Sequence, residues 1–146
     1  MTISRDPKQL QTIINVLELK KTKLERKIHQ LNEAIHHKNN LLHTFKNYLR
    51  EYEGAQYEHS LNAKILQNHQ LFMGKIIHLI HNEQNEITKL EATKTEGITE
   101  CKMCQGKIEG LRHMLQNVQH EEVKRINQLI ETEYHDLSVI KTGNKK

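Results

Sequence analysis

The sequence predicts an all-α chain, a long antiparallel two-helix coiled-coil hairpin whose C-terminal helix is the longer and overhangs. Three observations predict it. Only 36% of the 146 residues are hydrophobic and 4% aromatic, with no tryptophan, one proline and a mean hydropathy of −0.77. That mixture suits long helices better than a thick layered core, and the even spacing of the apolar residues argues against disorder. The apolar residues also keep a heptad spacing over about six repeats in the first third of the chain. Finally, one stretch, Leu41 to Glu83, contains the break between two helical patterns, both phenylalanines and three of the four tyrosines.

The chain reads as one domain over residues 1–146. Met1 to Arg5 is expected to fray. Asp6-Pro7 is a helix start, because an aspartate side chain caps free N–H groups and proline suits the first helical position. Helix one is predicted over about residues 7–53. Leu10, Leu17, Leu24, Leu31, Lys38, Phe45 and Tyr52 fall at heptad position d, and Ile14, Lys21, Ile28, Ile35, Leu42 and Leu49 at a. Lys21 and Lys38, the two polar exceptions, read as register-setting or snorkelling lysines. At 1.5 Å per residue such a helix is about 70 Å long.

A turn is predicted over about residues 54–60, with Gly54 as helix stop and Ser60 as the next cap. A short connection between long helices makes them antiparallel neighbours. Helix two is predicted over about residues 61–140. Its seam runs through Leu66, Met73, Ile76, Ile80, Ile87, Leu90, Cys101, Cys104, Ile108, Leu111, Leu115 and Val118, with Glu83, Lys94 and Gly97 as weak points. The stripe then shifts to Val123, Ile126, Ile130, Leu137 and Ile140, as where a 3.5-residue repeat relaxes toward a straight helix. Gly74, Gly97, Gly106 and Gly110 each cost up to about 1 kcal/mol against alanine and mark bends or close approaches. Residues 141–146 are a tail. A turn near Gln56 pairs helix one with residues up to about 105 and leaves roughly 30 residues projecting, an amphipathic length that is marginal alone in water.

The formal charge is +4, from 22 basic and 18 acidic residues. Lys20, Lys21, Lys23, Arg26 and Lys27 form the densest basic patch. It reads first as a solvated helix face, next as a contact for an acidic protein, and last as a nucleic-acid contact, since no recognition motif accompanies it. No run approaches the roughly 18 apolar residues of a membrane span, and the N-terminus lacks a signal-peptide core. A soluble, cytoplasmic protein without direct membrane insertion is expected.

Enzymatic chemistry and metal binding are not expected. Cys101-Lys102-Met103-Cys104 is a lone C-x-x-C without a second pair, and both cysteines sit on the seam as small hydrophobes. The eleven histidines include His36-His37, and His78 with His81, but without grouped carboxylates or an H-E-x-x-H. No phosphate-binding glycine loop or nucleophile elbow occurs, and a two-helix hairpin provides no enclosing pocket. No catalytic residue and no cofactor are assigned.

The stretch around the turn carries more apolar residues than one seam can use. Ile65, Phe72, Leu79 and Glu83 lie beside the seam of helix two, with Ile76 shared between the stripes. Leu41 and Tyr48 flank the seam of helix one beside Phe45 and Tyr52. These residues either widen the core or face a partner. Core packing is the stronger account for Phe45 and Tyr52, and an outward face for Tyr48, Phe72 and Leu79.

Tyr48-Leu49-Arg50-Glu51-Tyr52, then Asn68-His69-Gln70-Leu71-Phe72 and Ile76-x-x-x-Ile80, resemble the FliJ family of coiled-coil proteins of flagellar type III export. Length, basic character and the unequal hairpin fit, whereas the tryptophans frequent in that family's second helix are missing. The resemblance implies a non-enzymatic stalk that docks in the hexameric flagellar export ATPase and promotes its assembly. It implies further links to the cytoplasmic domain of the export gate FlhA and to emptied export chaperones, with a location at the inner face of the cell membrane. It places the gate-binding surface on Leu41, Phe45, Tyr48, Tyr52, Phe72, Ile76, Leu79 and Glu83. The ATPase-binding end falls at the start of helix one and the end of helix two. Two other readings stand beside it, the equivalent stalk of a virulence injectisome and a homo-oligomeric structural coiled coil. Light scattering separates the last, since a FliJ-like chain alone is expected to be largely monomeric.

Overall fold

The computed structural model describes the backbone of residues 6–56 and 63–143 and the side chains of residues 6–54 and 63–140. It contains two helices, α1 (Pro7–Gln56) and α2 (Ala63–Gly143), packed antiparallel, and no strand among the described residues. The predicted all-α hairpin is the observed fold. At its start the Lys8 amide donates to the Asp6 carboxylate at 3.2 Å, and the Leu10 amide donates to the Asp6 carbonyl at 2.9 Å. Asp6 therefore caps α1 as its sequence position suggests.

The helix bounds differ from expectation in two places. Gly54 lies inside α1 rather than ending it, and residues 141–143 continue α2 rather than forming a tail. Nothing lies within 4 Å of where a Gly54 Cβ would stand. Glycine is tolerated in a helix interior at a cost of about 1 kcal/mol, which neighbouring turns can absorb. The expected fraying of Met1 to Arg5, the Ser60 cap and the last tail residues lie outside the described residues.

The chain divides into two compact units. Unit 1 comprises Met1–Thr22 and Lys102–Lys146. Its core is Leu10, Ile14, Ile108, Leu111 and Leu115, with Leu17, Met114 and Val118 packed against it. Arg112 donates to the Glu18 carboxylate across the two helices. Cys104 is buried and Cys101 half-buried, in keeping with their seam positions. Pairing thus reaches Val118, well beyond the expected limit near 105, and every residue from 119 to 140 is exposed. The overhang is shorter than expected because α1 runs on through Gly54 to Gln56, which carries its partner residues further along α2.

Unit 2 comprises Lys23–Cys101. Ile35, Ile76 and Ile80 are buried along its seam. Gly97, expected to weaken the seam, is itself buried, and Ile28 Cγ1 lies 3.3 Å from the position a Gly97 Cβ would take. Its missing side chain is the space that Ile28 occupies.

Candidate partner-binding face near the turn

In unit 2 the end of α1 and the start of α2 meet through rings. The Tyr52 ring centroid lies 4.6 Å from that of Phe72, with planes tilted by 44°, and 5.3 Å from that of His69. Such tilted contacts add modestly to the burial of the rings themselves. Among the described residues His69 Nε2 is buried and meets no hydrogen-bond partner.

The eight residues assigned to the gate surface fall into three groups. Tyr48, Phe72 and Leu79 are open to solvent, at 49%, 44% and 43% exposure, as the seam count suggests. Leu41, Phe45 and Tyr52 are half-buried, each lending an edge to the surface while filling the seam. Ile76 and Glu83 are different. Ile76 is only 4% exposed and belongs to the seam, so it supports the face from beneath and offers no side chain to a partner. Seam position, with a period of 3.5 residues, wins for Ile76 over its place in the flanking stripe. Glu83 is drawn inward by Lys38, whose Nζ lies 3.3 Å from its carboxylate.

That pairing joins one polar exception of each helix seam. Lys38 of α1 and Glu83 of α2 meet in the interface, and Lys38 also donates to Glu86. A matched polar layer between helices fixes register. The Lys38 ammonium is held above its ordinary value of 10.5, chiefly by its hydrogen bond to Glu86. The same bond holds the Glu86 carboxyl below its ordinary value of 4.5. The depressed carboxyl contributes stability above 4.5 that is lost as pH falls through its folded value. The raised ammonium contributes stability below 10.5 that is lost as pH rises through its folded value. Wild type should therefore melt at a higher temperature than Lys38→Gln near neutral pH, and the difference should vanish on acidification below the carboxylate range. Lys38→Glu should shift or loosen the pairing, and adding Glu83→Lys should restore it.

Sequence reasoning overlooked Leu71, which is 62% exposed on the far side of α2 from the seam. It lines a shallow groove with Gln70, Gly74, Lys75, His78 and Leu79. An apolar residue off the heptad seam was the signal available. Residues 63–82 contain no aspartate or glutamate and carry two lysines, Lys64 and Lys75.

Among the described residues no three His, Cys, Asp or Glu side chains gather in a way that could hold a metal ion. Nor, among them, is any helix long and apolar enough to cross a membrane. No protein-family model, curated protein or solved structure matches the chain.

Proposed function

We propose that the chain is a non-enzymatic coupling protein of flagellar type III export, acting as a FliJ-like stalk. One part of the hairpin docks on the cytoplasmic domain of the export gate FlhA, and the other engages the hexameric export ATPase and promotes its assembly. Export chaperones released from cargo are further partners, and the protein works at the inner face of the membrane at the flagellar base. Its mechanism is docking, with no bond made or broken.

The observation that carries this reading is the exposure of Tyr48, Phe72 and Leu79 beside a seam that does not need them. Aromatic residues displayed beside charged rims are the usual anchors of protein interfaces. The overhang of α2, amphipathic and unpaired in unit 1, supplies a second docking element. Tyr48→Ala with Phe72→Ala is expected to abolish binding to the gate's cytoplasmic domain while circular dichroism and ATPase stimulation stay unchanged. If the double variant unfolds, the two residues serve the core and the docking face is wrong.

A further inference from the structure

We propose that the outer side of α2 near the turn is a second docking site, a hole shaped for a helix of another protein that carries an aliphatic knob and, beside it, a carboxylate. Every residue it uses lies in unit 2. Leu71, Gly74, Lys75 and His78 stand at positions i, i+3, i+4 and i+7 of one helix. Four residues so spaced form the hole that receives a knob from a facing helix. Together with Gln70 and Leu79 they line a shallow groove, and all six are exposed.

The packing of the chain itself does not use this hole. α1 covers the opposite side of α2, where Ile76 and Ile80 are buried. Nothing lies within 4 Å of a Cβ built on Gly74. A glycine here weakens the helix without relieving any contact inside the chain. Gly97 shows what such a recess does when it is filled. There Ile28 of the facing helix lies 3.3 Å from the position a Cβ would take. Gly74 presents the same recess outward. Gly54, Gly106 and Gly110 are equally open, but among the described residues none of them lies between exposed leucines. Gly74 does, with Leu71 and Leu79 at 62% and 43% exposure.

Charge defines the rest of the occupant. Leu71, Lys75 and Leu79 follow one another at four-residue steps, so the lysine stands in an otherwise apolar row. Residues 63–82 contain no carboxylate side chain, and Lys75 makes no ion pair among the described residues. A helix that brings an Asp or Glu next to its aliphatic knob supplies the counter-charge, whereas a basic helix meets like charge. Unit 2 uses that combination once already, where Lys38 meets Glu83 in the seam. The occupant is therefore an amphipathic helix with a Leu, Ile or Val stripe and an acidic edge. This site goes beyond the export reading, since of the eight residues assigned to the gate surface only Leu79 borders it.

The test uses the full-length chain and a fluorescent, alanine-rich helical peptide with one leucine stripe flanked by glutamates, kept too dilute to pair with itself. Fluorescence anisotropy is expected to show saturable binding to wild type. Gly74→Leu fills the hole and should weaken binding about tenfold or more. Circular dichroism of that variant should keep or gain helix, because leucine is the better helix former and the space is empty. Lys75→Glu should reverse the preference, so that the matching peptide with lysines in place of glutamates binds the tighter. Tyr48→Ala should bind as wild type does. Absence of saturable binding to wild type overturns the proposal, as does undiminished binding by Gly74→Leu or an unchanged preference in Lys75→Glu. Sedimentation velocity checks the rival occupant. Self-association of wild type that Gly74→Leu abolishes would assign the hole to a second copy and likewise overturn the proposal. None of these outcomes bears on gate binding, which is read with Tyr48→Ala and Phe72→Ala.

Discussion

Replacing Ile108 by aspartate is expected to detach α1 from α2 throughout unit 1. Ile108 is 1% exposed and lies among Leu10, Ile14, Leu111 and Leu115. Truncation to alanine at such a site costs about 2–5 kcal/mol through lost transfer energy and the cavity left behind. An aspartate adds a carboxylate with no partner among these aliphatic side chains, and an unpaired buried charge is more costly still. The whole stability of a small domain is commonly about 5–15 kcal/mol, so residues 7–22 should lose their helical pairing. Urea unfolding followed by circular dichroism would show a lower midpoint and a lost share of helix. Ile130→Asp, the same change on the exposed overhang, should shift the midpoint of the monomer hardly at all.

The second large effect is expected at Gly97. Sequence pattern makes this glycine a flaw in the seam, whereas the structure makes it the recess for Ile28. Gly97→Leu forces a branched side chain against Ile28 and should cost about 1–3 kcal/mol by overpacking. Ile28→Ala in the same chain should return much of that loss, because the two residues compete for one volume and so cannot act additively. Gly97→Ala is the balanced case. Its helix propensity gain of about 1 kcal/mol opposes a few tenths of an ångström of movement by Ile28. Gly74→Ala, with nothing within 4 Å of the new Cβ, keeps the gain and should raise the melting temperature. Thermal melts of the four variants separate recess from flaw.

Much of this fold is written in the spacing of its apolar residues. Every position assigned to a or d in α1, from Leu10 to Tyr52, is buried or half-buried, as is every assigned seam position of α2 from Leu66 to Val118. Heptad spacing reports burial directly, because a 3.5-residue repeat keeps one stripe against its neighbour. Register was less accessible. With the turn set at Gln56, Lys38 falls opposite residues near 74, so its match with Glu83 could not be read from either helix alone. The end of pairing at Val118 was hidden for the same reason. Glycine at position 54 resembles a stop in sequence, yet the backbone of α1 stays helical through it to Gln56.

The candidate face was legible in part. Tyr48, Phe72 and Leu79 could be singled out because one seam has a fixed capacity, and surplus apolar residues must lie outside it. Ile76 could not be resolved, since it belongs to both stripes on a helical wheel and only its packing decides. Leu71 carries no heptad signal, because it lies on the side of α2 opposite the seam.

The proposed coupling role is tested most directly by a pull-down from motile cells with the full-length chain as bait. Recovery of the export ATPase together with the gate subunit, and loss of the gate subunit alone with Tyr48→Ala and Phe72→Ala, is the predicted result. Recovery of neither protein, from cells that export flagellin normally, would contradict it.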